Sequence, residues 1–305
     1  MQLEKLIIAT DFSEPAAAAA EWVARHFAPA AKLVLVYIID TSHRRAPSED
    51  PPGCGVSLDD EYDLAARGLR AAAAALGAAR CTSEIRFGRT ADEIVRASEE
   101  LHADLVVVGK HSRRTGVIAR LGSTAEEIVR SSPTPVLLVT EEPDAEPRVL
   151  LAAVNDSHVA PWVVQWARFL AERFGASVNA TNVVGASVFT SALASIDAGG
   201  EAAETMPESA GNEPLRTADD WLSRFAGHDA DRRPLHVDLM FGDPAEEIIA
   251  AAGRMHADMI VMGSRGLGRL RSAILGSVAS AVLRSAPCPV LVIREPGDEV
   301  IHSDS

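Results

Sequence analysis

The sequence is poor in cysteine and in basic residues, and it contains no long apolar run. Its three cysteines, Cys54, Cys81 and Cys288, are odd in number and form no C-x-x-C pair. That speaks against a disulfide framework or a cysteine zinc site, and it fits a reducing compartment. No apolar stretch approaches the roughly 18–20 residues that span a bilayer. The opening MQLEKLIIATD enters a short strand-like run without a signal-peptide pattern, so the expected location is cytoplasmic. Lysine and arginine total 29 against 43 aspartates and glutamates, a formal charge of −14. Such a surface repels phosphodiester backbones, so neither nucleic acid nor an anionic membrane is an expected partner. Catalytic signatures are missing too: no H-E-x-x-H, no Walker-type G-x-x-x-x-G-K-[ST] and no Ser-His-Asp pattern is found, which weighs against a dedicated enzyme.

What is present is a globular composition used twice. Apolar residues make up 47% of the chain with only moderate Gly and Pro, enough for packed cores. A length of 305 residues suits two domains of about 150 each. The segment FGRTADEIVRASEELHADLVVVGK from Phe87 aligns without gaps on FGDPAEEIIAAAGRMHADMIVMGS from Phe241. His102 and His256, Gly122 and Gly276, and Pro133 and Pro287 are each 154 residues apart. Nearer the front of each half the offset is 144, from Asp11 to Asn155 and from Trp22 to Trp166. The second copy thus carries about ten extra residues, assigned to the small, acidic stretch SALASIDAGGEAAETMPESAGNEP, which reads as a mobile loop. The expected organisation is a domain over 1–143, a connector within EEPDAEP, a domain over 147–296 and a tail over 297–305.

Within one copy, KLIIATD, KLVLVYIID, SEIRFG, ADLVVVG and PVLLV are short β-branched runs separated mostly by helical patterns. The second copy repeats them as RVLLAAV, ASVNATNVV, HVDLMFG, ADMIVMG and PVLVI. This alternation predicts an α/β fold, two repeated Rossmann-like domains, each a five-stranded parallel sheet with helices on both faces. Ligands of such sheets bind beyond the carboxyl ends of the strands, where the strand order reverses.

At one of those ends lies GSRGLGRLRSAILGS. It follows ADMIVMG and leads into the helical SVASAVLRSA, with Gly263, Gly266, Gly276 and Ser277 in the spacing G-2x-G-9x-G-S. Glycine lets a backbone approach a ligand, and the N–H groups of a helix start favour an anion. No acid occurs between Asp258 and Glu295, while Arg265, Arg269 and Arg271 give the loop a basic field on an acidic protein. A phosphate suits this place.

The constellation resembles the universal stress protein family. The resemblance rests on the G-2x-G-9x-G-[ST] loop, on Thr10-Asp11-Phe12-Ser13 against V-D-x-S, on Gly242, Pro244, Ala245 and Ile248 against G-x-P-A-x-x-I, and on the closing strands Pro135–Val139 and Pro289–Ile293. It covers nearly the whole chain twice and implies domains of the adenine nucleotide alpha hydrolase-like type. It implies ATP, with magnesium on its phosphates, bound chiefly in the second half by Asn155, Ser157, Val183, Met262, Gly263, Arg265, Gly266, Gly276, Ser277 and Val278. A weaker first site would use Asp11, Ser13, Ile38, Val108, Gly109, Gly122 and Ser123, with Ser112 in place of the middle glycine. Asp11 resembles the family's nucleoside-binding aspartate; Asn155 stands there in the second copy, keeping an acceptor and adding donors. The closing strands imply a pseudo-dimer within the chain, with a homodimer as a further form.

Each residue also has a plainer reading. Asp11 and Asn155 serve equally as turn formers, Ser13 and Ser157 as helix caps, and Gly276-Ser277 as a close-packing site. His102 and His256 suit helix C-termini without any metal, Cys288 suits a buried thiol, and the paired tryptophans suit a core or an interface. The expected function is an ATP-binding stress-response module with an unidentified protein partner and at most slow hydrolysis or autophosphorylation. The alternative is a nucleotide-independent scaffold, or a binder of another small or lipid-like ligand; a nucleotide-transferring enzyme would need a motif that is missing.

Overall fold

The computed structural model describes residues 1–42, 57–77, 79–110, 121–139, 145–155, 157–185, 235–264 and 275–294. The expected mobile loop (191–214), the tail, and the loop arginines Arg265, Arg269 and Arg271 lie outside the described residues. The chain forms two compact units that divide between Glu146 and Pro147.

The first unit runs β1 (Lys5–Ala9), α1 (Glu14–Trp22), β2 (Lys32–Asp40), α2 (Leu58–Ala75), β3 (Cys81–Gly88), α3 (Thr90–Glu100), β4 (Leu105–Gly109), α4 (Ser123–Ser131) and β5 (Val136–Val139). One π-helical turn, Val23–Phe27, continues α1. The second unit runs β6 (Val149–Val154), α5 (Ala160–Phe174), β7 (Ser177–Gly185), β8 (His236–Gly242), α6 (Pro244–Arg254), β9 (Met259–Gly263), α7 (Ser277–Ser285) and β10 (Val290–Ile293). The offset between the units grows from 145 at the ends of β2 and β7 to 154 at the ends of β3 and β8, so the extra residues fall between β7 and β8.

The sheet of the first unit has the order β3-β2-β1-β4-β5 and that of the second β8-β7-β6-β9-β10. Within each unit the paired strands are parallel. Right-handed crossovers put α1 and α2 on one face and α3 and α4 on the other, which is why α3 packs on α4 and α6 on α7. Burial on both sides explains why Leu105–Val108, Val136–Val139, Met259–Met262 and Val290–Ile293 are unbroken buried apolar runs.

The repeated His-Ala-Asp has a structural job in both units. His102 (φ 50°) and His256 (φ 49°) take the left-handed position that ends α3 and α6. The next N–H, of Ala103 or Ala257, donates to the carbonyl of Ser98 or Ala252 at 2.9 and 2.8 Å. The sequence reading credits the helix dipole; the positive φ is the stronger reason, because histidine tolerates that region better than most side chains. Asp104 then accepts N–H bonds from Glu4 (2.7 Å) and Lys5 (2.9 Å), and Asp258 accepts them from Arg148 (2.8 Å) and Val149 (2.9 Å). Each aspartate ties the start of the central strand to the strand beside it, setting the register Leu6 with Leu105 and Leu150 with Met259.

A second duplicated device joins β3 to α3 and β8 to α6. Gly88 (φ +144°) and Gly242 (φ +150°) have backbones closed to other residues, and an added Cβ would meet Glu93 Cγ at 2.9 Å or Glu247 Cγ at 3.0 Å. Asp243 caps α6 by accepting from Ala245 (3.0 Å) and Glu246 (3.1 Å), with Pro244 in the first turn.

Removing either aspartate clamp, Asp104→Ala or Asp258→Ala, is expected to lower stability by about 1–2 kcal/mol in urea unfolding, because two N–H groups lose a charged acceptor. His102→Gly and His256→Gly are expected to leave stability unchanged or raise it by up to about 1 kcal/mol, since glycine prefers the same backbone; a metal-ligating role would instead show as lost stability on adding a chelator to the parent protein.

Candidate functional site

In both units the strand order reverses at the central strand, so the crevice opens beyond the ends of β1 and β4 and beyond the ends of β6 and β9. Four segments converge there in the second unit: Asn155 after β6, the end of β7, Gly263 at the end of β9, and the start of α7.

After the central strand both units make the same side-chain to backbone bond. Asp11 Oδ1 accepts from the Ser13 N–H at 2.9 Å, and Asn155 Oδ1 accepts from the Ser157 N–H at 3.2 Å. The bond uses one acceptor oxygen, which aspartate and asparagine both supply, so the exchange keeps it. The other arm of the side chain differs: an acceptor oxygen in Asp11, a donating NH₂ in Asn155. Ser13 is spent on structure, for it is buried and its Oγ caps α1 by accepting from Ala16 at 3.3 Å. Ser157 departs from the helix-cap reading. The N-cap of α5 is Val159, which makes no side-chain cap, and Ser157 receives the Ala160 N–H at its carbonyl, 3.1 Å away.

The glycine loop is pinned at both ends. Ser264, following β9, donates its N–H to Ile293 (3.0 Å) and accepts the Gly276 N–H at its carbonyl (3.0 Å). Lys110 does the same with Val139 (2.8 Å) and Gly122 (3.4 Å). Gly276 and Gly122 are the N-caps of α7 and α4, and having no side chain they leave the first-turn N–H groups uncapped. Gly276 has φ −62°, ψ 148° and Gly122 φ −66°, ψ 142°, extended values open to any residue. At Gly122 an added Cβ would meet nothing within 4 Å. Helix–strand packing therefore does not explain the Gly122 glycine. The two starts differ in charge: Glu126 lies in the first turn of α4, whereas that of α7 has no acid. Ser123 and Ser277 are exposed, and Val278 is half-buried beside the latter. Gly266 and Arg265, like Ser112 in the first loop, lie outside the described residues.

Apolar residues floor both crevices. Met262, Val108 and Ile38 are buried and Val183 is half-buried at the strand ends. Register places Met262, Ala153 and Thr181 side by side on one face, with Val183 one pleat further towards the strand end. Gly109 is a close-approach glycine, since an added Cβ would lie 3.3 Å from the backbone of Pro15 and Ala16 at the start of α1.

Sequence reasoning missed the aromatic group beside the first turn. Phe12, at φ 60°, stacks on Tyr37 of β2 with ring centroids 4.7 Å apart and an interplanar angle of 16°. The tip of its ring lies 2.8 Å from where a Cβ of Gly68 in α2 would be, so that glycine makes room for it. Burial, then the carboxylates of Glu61 and Asp11, push the Tyr37 phenol above its ordinary value. No sequence pattern links positions 12, 37 and 68; only the fold brings them together. Among the described residues no group of three or more His, Cys, Asp or Glu is arranged to hold a metal, and no helix is long and apolar enough to cross a membrane.

Because the folded state favours the neutral Tyr37 phenol, its contribution is present below the unfolded pKa of about 10 and is lost as pH rises through the raised value. A tyrosinate absorbance titration is expected to show a component above pH ~10 that Tyr37→Phe removes, and the variant should lose less stability across that alkaline range.

Comparison with known proteins bears on this geometry. The model of the Universal stress protein family matches residues 2–140 and again 147–294. A universal stress protein from Mycobacterium tuberculosis is 28% identical over 302 residues, covering 95% of this chain and 97% of its own. One from Methanocaldococcus jannaschii is 45% identical over 65 residues, a stretch spanning 21% of this chain and 38% of that protein. Among solved structures, a universal stress protein from Archaeoglobus fulgidus superposes with a TM-score of 0.67 at 21% identity, covering 97% of this chain and all of its own (100%). The crystal structure of a protein from Pseudomonas aeruginosa described as a universal stress protein gives 0.62 at 16% identity, covering 97% and 95%. With both halves matched by the family model, the chain belongs to the universal stress protein family and carries two of its domains in tandem.

Proposed function

We propose that this stress-response protein binds ATP in its second domain, with the adenosine part at the ends of β6, β7 and β9 and the polyphosphate at the N-terminus of α7. The observation that carries the reading is the N-cap glycine. Gly276 and Gly122 adopt ordinary extended backbone, and beside Gly122 the space for a side chain is open. A helix start without a side-chain cap suits an anionic ligand that approaches the backbone. The acid-free first turn of α7 makes the second domain the better site, since Glu126 opposes an anion at α4.

In this reading Asn155 directs its second arm to the sugar or base, Val183 and Met262 supply the apolar wall, and the first-turn N–H groups of Ser277 and Val278 face phosphate oxygens. Magnesium would arrive on the phosphates, because none of the described carboxylates is clustered for it. The module holds nucleotide, with hydrolysis or autophosphorylation slow at most, and the bound state is what a protein partner would read. The first domain favours a different role: Phe12 and Tyr37 present a partly exposed aromatic stack beside Asp11, better suited to an apolar ligand or a scaffold contact than to a triphosphate.

Calorimetric titration of the full chain with Mg-ATP is expected to show one principal site. Gly276→Val should weaken it at least about tenfold, or ~1.4 kcal/mol, with an unchanged far-ultraviolet circular dichroism spectrum, while Gly122→Val should change it less than about twofold. Equal affinity in the parent and Gly276→Val would reject the phosphate site.

A further inference from the structure

Thr181 lies in β7 with a hydroxyl that no described residue bonds. The residue is 1% exposed, and its Oγ1 is shut off from solvent without a hydrogen-bond partner among the described residues. Its register neighbours are Ala153 of β6 and Asp238 of β8, and Ala153 is in turn level with Met262 of β9. The row Met262, Ala153, Thr181 thus runs across three strands on one face, about 6–7 Å below the level of Asn155 and Val183. In the first domain the matching residue is Val36, level with Ala9, so the hydroxyl is replaced there by a methyl.

A hydroxyl withdrawn from water without a partner is a net destabilising feature, and buried polar groups in natural proteins are nearly always paired. The first domain shows that valine fills this place in the corresponding strand of its own sheet. Thr181 is therefore a polar group whose partner the described residues do not supply, set beside the apolar residues that wall the crevice.

We infer that Thr181 is a base-reading residue of the second domain, its hydroxyl bonding the edge of a purine seated on Met262 and Val183. The inference rests on the nucleotide reading above and deepens it. A threonine hydroxyl both donates and accepts, so it matches a ring nitrogen or an exocyclic amino group. Ala153, the smallest side chain of the row, stands level with Met262 on one side and Thr181 on the other. With Val36 in the equivalent place, the first domain lacks this contact, and the two domains differ in base recognition as well as in their Asp11/Asn155 arm.

The test uses the full chain and three forms: parent, Thr181→Val and Thr181→Ser. Calorimetry with Mg-ATP is expected to show a roughly threefold to tenfold loss of affinity in Thr181→Val, the size of one neutral hydrogen bond. Thr181→Ser, which keeps the hydroxyl, should stay within about twofold. Inorganic tripolyphosphate, which has no base, should bind the parent and Thr181→Val equally. Without ligand, Thr181→Val should unfold at the same or a higher temperature than the parent, as expected when an unpaired buried hydroxyl is removed. Unchanged ATP affinity in Thr181→Val, an equal loss for tripolyphosphate, or a lowered unfolding temperature that points to a structural partner would each overturn the inference. If the parent binds ATP and Gly276→Val weakens it while Thr181→Val does not, only this inference fails; if the parent binds no ATP, both fall together.

Discussion

The hydrogen bond from Gly276 N–H to Ser264 C=O is the contact on which the candidate site depends. It closes the loop after β9 on itself, and the Ser264 N–H bond to Ile293 fastens the same residue to the neighbouring strand. The start of α7 is thereby placed against the end of the sheet. Gly122 and Lys110 repeat the arrangement more loosely, at 3.4 Å. A helix start is a source of partial positive charge only within its first turn, so its usefulness to an anion depends on where that turn is fixed.

Around this shared frame the described residues of the two domains have diverged in several places that bear on ligands. Asp11 becomes Asn155, preserving the turn while exchanging an acceptor for a donor. The first turn of α4 carries Glu126, and that of α7 carries no acid. Phe12 packs on Tyr37 over Gly68, and aspartate replaces the phenylalanine in the second domain. Val36 is apolar where Thr181 has a buried hydroxyl. None of these changes touches the clamps made by Asp104 and Asp258 or the Gly88 and Gly242 corners. The devices that set register and chain reversal are kept in duplicate, and the crevice residues vary over them.

That division has a physical basis. A slip of one residue between β1 and β4 would turn every buried side chain to the wrong face, so an aspartate that gathers two strand-start N–H groups holds the whole sheet in place. At the strand ends the backbone is already satisfied by Asx turns and by the pinned loop, which leaves the outward arms of the side chains open to change at little stability cost.

The duplication, the alternation of strands and helices and the parallel order were legible in the sequence, because unbroken apolar runs such as LVVVG and MIVMG occur only where both faces of a strand are covered. The glycine spacing and the missing acids of the second loop were legible for the same reason, being local in the chain. Less legible were the roles. His102 and His256 suggested a response to the helix dipole, and only the backbone shows a left-handed cap. Ser13 and Ser157 looked alike, yet one caps a helix and the other does not. Phe12, Tyr37 and Gly68 meet across 56 residues of chain, and Thr181 is singled out by an oxygen without a partner among the described residues. The sequence by itself determined what local pattern controls: the class of fold, its repetition and the place of the loop. The tertiary structure decided which polar groups are already bonded and which side chains face one another, since burial and pairing are relations between distant segments that no single stretch of sequence contains.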